Sequence, residues 1–228
     1  MASTNNLLPQ ETNDVKEMHL SQSIENMYRE LWEKAPAEPA FIKERGFELR
    51  DISFLPNSLM IVGINPGYDE KNKDKENEDK EKTYKYYTDQ KKSAEKCGFE
   101  NNFCSVDVFA MKNSYLQEIK DVIDKPGVKD FCIEQFKIFK SIVREINPFV
   151  IWVCSAYASD WMLNKKINKE AFDIEYDEEL GTNFIVNDRV LKRTPIIFSG
   201  MLGGRHPMDK GSREEHEWKI RYLKKVLK

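Results

Sequence analysis

An apolar run at residues 58–62 is followed at once by the turn sequence Gly63-Ile64-Asn65-Pro66-Gly67. An apolar run that stops at Gly and Pro residues predicts a buried strand with an abrupt end. Such a strand presents one polar side chain, Asn65, at its carboxyl edge. Open α/β sheets bind their ligands at that edge, so the feature predicts both a fold class and a candidate site.

A second apolar run, at residues 194–199, is followed by Arg205-His206-Pro207 near the other end of the chain. If both runs are parallel strands, their ends bring an Asn and a His into one cleft. Each motif alone is ambiguous, because Asn, Pro and Gly also suit ordinary turns and a loop histidine is often structural. The order and context of the pair are more specific than either member.

The segments between the motifs alternate between strand and helix patterns. Residues 103–113 and 149–154 have strand character, whereas residues 130–146 place apolar side chains on one helical face. This order predicts parallel strands joined by right-handed crossovers. Near the C-terminus, Ser212 and Glu215 form a Ser-x-x-Glu capping box before a last amphipathic helix.

The two motifs and their order resemble the uracil-DNA glycosylase superfamily, particularly its single-strand-selective and mismatch-specific branches. The first motif of those branches reads Gly-x-Asn-Pro-Gly, and their second often begins His-Pro. The resemblance covers about residues 27–228. It implies an α/β fold of three layers, α/β/α, around a central and mainly parallel four-stranded sheet. It also identifies residues 103–113 with the base-selecting strand of the family.

The domain organisation follows from composition along the chain. We expect a flexible N-terminal arm over residues 1–21 and a single glycosylase-like domain over residues 22–228. Residues 69–96 form a charged insertion in which Lys alternates with Glu and Asp. The near cancellation of its charges favours a solvated helix or a flexible excursion. Its tyrosines leave open a part in base stacking or in the wall of a pocket.

Composition also bears on location and cofactors. No apolar stretch approaches the roughly 20 residues of a membrane span, and the polar N-terminus lacks the apolar centre of a signal peptide. We therefore expect a monomeric cytoplasmic protein that reaches the nucleoid through DNA. The four cysteines lack the spacing of iron–sulfur ligands, so we expect reduced core thiols, no metal and no cofactor.

The resemblance implies a role for each residue of the two motifs. Asn65 would orient the attacking water, and His206 would donate a hydrogen bond to the departing base. Tyr68 would stack on the flipped base, with Phe103 and Phe109 behind it. Base-binding residues would be Gly63, Ile64, Gly67, Tyr68, Phe103 and Asp107.

DNA contacts are expected after the second motif. The net charge is −3, but the chain from Arg205 onward has a local positive excess. The DNA-binding residues would be Arg205, Met208, Lys210, Ser212 and Arg213. Either Met208 or Leu202 would be the wedge that fills the vacated base stack. His19 and His216 are expected to face solvent and receive no role.

The chain departs from the family pattern in two places. Met208-Asp209 stands where many members have Ser-Pro, and Asp107 ends the base-selecting strand where an Asn is common. An ionised Asp only accepts hydrogen bonds, which suits the N4 amine of cytosine better than O4 of uracil. Gly67 would leave space at position 5 of the pyrimidine, where some relatives place a bulky aromatic residue.

These features predict a glycosylase for a 5-modified cytosine in foreign DNA, such as phage DNA, because excision of ordinary cytosine would damage the host. Two alternatives stay open. One is a conventional uracil or mismatch glycosylase of base excision repair, and the other is a non-catalytic DNA-binding module of the same fold.

Overall fold

The computed structural model describes residues 13–49, 55–68, 80–113, 116–203 and 207–227, with side chains except at 13–19 and 80–86. The helices in these ranges are α1 (Asn13–Glu33), α2 (Phe41–Arg45), α3 (Lys80–Lys96), α4 (Leu116–Val122), α5 (Val128–Ile146), α6 (Ala156–Leu163) and α7 (Lys210–Val226). The strands are β1 (Leu59–Gly63), β2 (Phe103–Asp107), β3 (Val150–Val153), β4 (Ile174–Asp177), β5 (Thr182–Ile185) and β6 (Pro195–Phe198).

All the strands lie in one mixed sheet of order β2-β1-β3-β6-β5-β4. Strands β2, β1, β3 and β6 run parallel to one another, whereas β5 is antiparallel to both β6 and β4. The α/β class is confirmed, but the sheet has six strands instead of the predicted four. The hairpin of β4 and β5 escaped prediction because each strand has only four residues and β4 is largely exposed.

Alternate residues of the central strands supply two separate apolar cores. In β1, Met60 and Val62 belong to the core that contains α1, α5 and α6. Leu59 and Ile61 belong to the core beneath α3 and α7 on the opposite face. This alternation follows from the two-residue period of a strand, and it places helices on both faces of the sheet.

The N-terminal arm predicted over residues 1–21 overlaps a helix, because α1 begins at Asn13. Residues 1–12 lie outside the described residues. Beyond the predicted arm, the same helix buries Ile24 and Tyr28 in the first core.

The charged insertion over residues 69–96 is also only partly solvated. Its residues 69–79 lie outside the described residues, and the rest forms α3. The second half of α3 buries Gln90, Ser93 and Ala94 against the domain. The insertion therefore contributes a packed helix to the face of the sheet that α7 also covers.

A buried carboxylate joins these two helices. Glu217 of α7 is only 2% exposed. Its Oε1 accepts a hydrogen bond from Ser93 Oγ at 2.8 Å, and its Oε2 lies 3.4 Å from Lys96 Nζ. Removal of the carboxylate would leave the buried Ser93 hydroxyl without its acceptor.

We expect Glu217→Ala to lower the free energy of unfolding by about 1.5 to 3 kcal/mol, the range for a buried hydrogen bond to a charged group. The free energy of unfolding is measured by urea denaturation monitored by circular dichroism. The matched control is Glu215→Ala at an exposed position of the same helix, which we expect to change stability by less than about 0.5 kcal/mol. An equal loss of unfolding free energy in both variants would show that the contacts of Glu217 with Ser93 and Lys96 do not stabilise the protein.

Candidate active site at the carboxyl edge of the sheet

The two sequence motifs follow strands that end at the same edge of the sheet. Strands β1 and β6 are both parallel to β3, which lies between them. Neighbouring strands are about 4.8 Å apart, so the ends of β1 and β6 are separated by about 10 Å.

The Asn65 turn continues past the sheet beside the segment that follows β2. Asn113 N donates to Pro66 O at 3.2 Å, and Tyr68 N donates to Asn113 O at 3.2 Å. Gly67 and Asn113 form an isolated parallel bridge. Backbone hydrogen bonds with Asn113 therefore hold residues 66–68 of the turn, a role that the sequence did not indicate because Asn113 lies in neither motif.

The side-chain amide of Asn65 is anchored through its nitrogen. Nδ2 donates to Pro66 O at 2.8 Å and to Asn113 O at 3.4 Å. Because both neighbours are acceptors, the amide must present Nδ2 to them, which turns Oδ1 away. The half-buried Asn65 thus carries an oriented acceptor at the edge of the sheet.

Asp107 ends β2 directly beside Gly63, its partner in the parallel register. Its carboxylate lies so close above Gly63 that a Cβ on that glycine would overlap Asp107 Oδ1. Gly63 is therefore required by the position of the carboxylate, whatever its contact with a substrate. The side chain of Ile64 instead packs against the first core.

The carboxylate of Asp107 shares one face of the sheet with two residues that flank the second motif. Asp107 is two positions along β2 from Ser105 and four from Phe103, which packs against the second core beneath α3 and α7. Leu202 and Met208, which flank the second motif, pack against the same core. Leu202 and Met208 therefore lie on the side of the sheet to which Asp107 points.

A small cavity of about 20 Å³ also touches Asp107, between Tyr28, Glu48 and Ala110. This volume holds about one water molecule. It is far too small for a pyrimidine. Burial in this region, together with the negative charge of Asp107, raises the pKa of Tyr28 well above its usual value, so the Tyr28 hydroxyl stays protonated.

Tyr68 follows the turn and is half-buried. The guanidinium carbon of Arg45 lies 4.8 Å from the centre of its ring, and Lys112 Nζ lies 6.0 Å from it. The ring is thus held at the edge of the sheet beside two cations. Gly67 is exposed, and within the described part of the chain a Cβ there would meet no atom within 4 Å.

Two other predicted aromatic residues lie away from the edge. Phe103 begins β2, about 13 Å along the strand from Asp107 at about 3.3 Å per residue, and its ring packs on Tyr87. Phe109 is fully buried and packs edge-on against Trp161 at 4.9 Å. Neither ring lies at the carboxyl edge, because Phe103 packs against the second core and Phe109 belongs to the first.

The residues on either side of the second motif are hydrogen-bonded to each other. Met208 N donates to Met201 O at 2.8 Å, which joins the two ends of the loop, and Arg213 donates to Leu202 O. Arg205 and His206 lie outside the described residues. Their predicted roles stay predictions.

The structure changes which side chain of this loop could act as the wedge. Leu202 is fully buried in the second core and Met208 is half-buried against it, so Leu202 cannot enter a DNA stack. Met201, by contrast, is 42% exposed at the rim of the loop. If a side chain of this loop fills a vacated stack, Met201 is better placed than Leu202, yet no sequence motif pointed to it.

Most of the C-terminal basic residues contact the protein itself. Lys210 lies 3.6 Å from Glu214, and Ser212 Oγ donates to Asp209 Oδ2 at 2.6 Å. Further donors to backbone carbonyls are Arg213, Lys219, Arg221 and Lys224. These tethers weaken the prediction that Lys210, Ser212 and Arg213 bind DNA phosphates.

Asp209 explains one departure from the family pattern. It is the N-cap of α7, and its carboxylate accepts from Ser212 N at 2.9 Å. The hydrogen bonds from Ser212 hold the pKa of Asp209 below its usual value. The capping box predicted at Ser212 therefore lies three residues too late, and the N-terminus of α7 already carries the negative charge of Asp209.

His216 does not face solvent as the sequence suggested. Its ring stacks on Trp152 with centres 6.0 Å apart, and Nε2 lies 3.2 Å from Phe198 O. Trp152 Nε1 in turn donates to Ser199 Oγ at 2.8 Å. This cluster contacts Phe198 and Ser199 at the end of β6, a few residues before the second motif.

All four cysteines are buried free thiols, as expected. Burial raises the pKa of Cys104 and of Cys154 to about 12, so both stay protonated. Within the described ranges no three His, Cys, Asp or Glu side chains converge as metal ligands do. No helix in those ranges is long and apolar enough to cross a bilayer.

Comparison with known proteins adds no family to these observations. Neither a scan against protein-family models nor a search of curated proteins finds a match to this chain.

Proposed function

We propose that this protein is a monofunctional DNA glycosylase that hydrolyses the N-glycosidic bond of a flipped-out pyrimidine. The substrate we propose is a cytosine with a substituent at position 5, as found in modified phage DNA. The observation that carries the proposal is the pairing of two groups at one sheet edge: the anchored Asn65 amide and the Asp107 carboxylate above Gly63.

The reaction requires a positioned water and a stabilised leaving group. Asn65 Oδ1 accepts a hydrogen bond from water and holds it against C1′ of the sugar. As the C1′–N1 bond breaks, the electron pair leaves with the base, and the water oxygen bonds to C1′ and releases its proton. His206 would donate a hydrogen bond to the carbonyl oxygen of the departing base.

The base preference depends on Asp107 and Gly67. The carboxylate of Asp107 accepts from the N4 amine of cytosine, whereas it would repel O4 of uracil. Space at Gly67 favours a base with a substituent at position 5. Tyr68 would supply a face on which the extruded base stacks.

A panel of oligonucleotides tests the proposal. Single-turnover excision is measured on matched strands that contain uracil, cytosine, 5-hydroxymethylcytosine or its glucosylated form at one position. We expect the fastest excision from a 5-substituted cytosine. Excision of uracil alone would identify a conventional repair glycosylase, and DNA binding without excision of any base would identify a binding module.

Asp107→Asn is expected to shift the preference of the enzyme from cytosine-type bases toward uracil. The amide both donates and accepts, so it serves O4 and N3–H of uracil. Base-edge contacts of this kind are worth about 1 to 3 kcal/mol, so the ratio of excision rates should change by about tenfold or more. Equal loss on every base would indicate a folding defect, and no change on any base would show that Asp107 does not contact the substrate.

A further inference from the structure

We propose that Arg45 is a positioning residue of this site, which fixes the Tyr68 ring and, through Asn113, the Asn65 turn. The inference rests on the proposed function, because it gives Arg45 a part in the binding and cleavage of a flipped nucleotide. Arg45 lies in neither motif and ends a helix that precedes β1 in the chain.

The guanidinium of Arg45 is held in a fixed plane. Its side chain is 13% exposed, and NH1 lies 2.7 Å from Glu118 Oε2. NH2 donates to Glu118 Oε1 at 3.4 Å, so the pair is bidentate. A two-point contact of this kind fixes the orientation of the planar group as well as its position.

Two aromatic rings pack against that plane. The guanidinium carbon lies 4.8 Å from the ring centre of Phe41 and 4.8 Å from that of Tyr68. A cation is attracted to the face of an aromatic ring, and the attraction is stronger when the pair is desolvated. Arg45 thereby links the Tyr68 ring to α2 and α4, whose positions the core determines.

A third contact reaches the turn itself. Arg45 NH1 lies 3.5 Å from Asn113 Oδ1, and Asn113 is only 2% exposed. The other polar atom of that side chain, Nδ2, has no hydrogen-bond partner among the described residues. The Arg45 contact is therefore the only polar restraint on the Asn113 side chain in the described part of the chain. The backbone of Asn113 carries the hydrogen bonds to Pro66, Tyr68 and Asn65.

Lysine cannot replace arginine in this arrangement. Its ammonium is a single point charge that neither stacks between two rings nor binds a carboxylate in two places. Arg45→Lys preserves the positive charge but removes the stacking and the two-point contact with Glu118. The variant therefore separates a positioning role from a simple electrostatic attraction for DNA.

The experiment combines hydrogen exchange with a double-mutant cycle. In Arg45→Lys we expect faster amide exchange in the peptide covering residues 63–68, measured by mass spectrometry, and we expect no such change in Lys43→Gln, an exposed control on the same helix. Single-turnover excision and affinity for the oligonucleotide should fall by about tenfold in Arg45→Lys. The same change made in a Tyr68→Leu background should cost clearly less than about tenfold, because the ring that Arg45 orients is gone and only its contact with Asn113 remains.

If Arg45→Lys does not fold, Phe41→Leu serves as the second variant, since it removes the other ring of the stack. Unchanged exchange at residues 63–68 would overturn the inference, and so would an equal cost of Arg45→Lys with and without Tyr68. The exchange measurement does not depend on catalysis. Faster exchange in a protein that excises no base would therefore uphold Arg45 as the residue that positions Tyr68 and would reject the glycosylase proposal.

Discussion

Replacement of Asn65 by alanine is expected to lower the single-turnover excision rate by about 10²-fold or more, whereas affinity for DNA changes little. The reason is geometric: Nδ2 is anchored on Pro66 O and Asn113 O, so Oδ1 is available to hold the attacking water in one place. Loss of that placement is costly, because misplacement by about 1 Å is enough for a loss of about 10²-fold.

The rate is measured with enzyme in excess over a labelled oligonucleotide, and affinity is measured by fluorescence anisotropy on the same strand. Asn101→Ala is the matched control, since Asn101 is exposed before the start of β2 at the opposite end of the sheet. Asn65→Asp adds a second test, because a carboxylate would be repelled by the two carbonyl oxygens that hold the amide. A loss of binding as large as the loss of rate would contradict the role given to Asn65.

Replacement of His206 by alanine is expected to lower the rate of bond cleavage by about 10²- to 10³-fold, the usual cost of removing one donor to a developing anion. His206 lies outside the described residues, and its proposed role rests on its motif and on the loop that carries it. Met201 and Met208 join the ends of that loop, and Arg213 is tied to Leu202 O. These contacts fix the two ends of the loop to each other and to α7.

His206→Gln provides the comparison, because its amide retains a donor and should recover part of the lost rate. Thermal unfolding of each variant separates a folding defect from a chemical one. An unchanged rate in His206→Ala would make His206 a structural loop residue. In that case the leaving base would have to be stabilised by backbone amides alone.

The sequence by itself predicted the strands that matter for the site. An apolar run that ends at Gly and Pro has few conformations open to it, so β1 and β6 were predicted to within one residue at each end. The 3.6-residue period of α5 was equally clear, because many of its apolar residues lie on one face. For these three elements the local sequence pattern was sufficient to predict the secondary structure.

The tertiary structure alone decided which side chains meet. Phe103 and Asp107 share one strand, yet only Asp107 reaches the carboxyl edge, because a strand of five residues is about 13 Å long. Leu202 and Met201 are adjacent and equally apolar, but packing buries one and exposes the other. No sequence pattern distinguishes such pairs.

The contacts of Arg45 are the clearest example of a feature that local sequence patterns could not predict. It is 20 residues before Asn65 and 73 before Glu118 in sequence, and its contacts form only when α2 and α4 pack around the end of β1. A motif is a short-range pattern, and the contacts that hold a motif in place are long-range. The sequence therefore determined the candidate chemistry at Asn65 and Asp107, whereas the packing of distant helices determined what holds those residues in position.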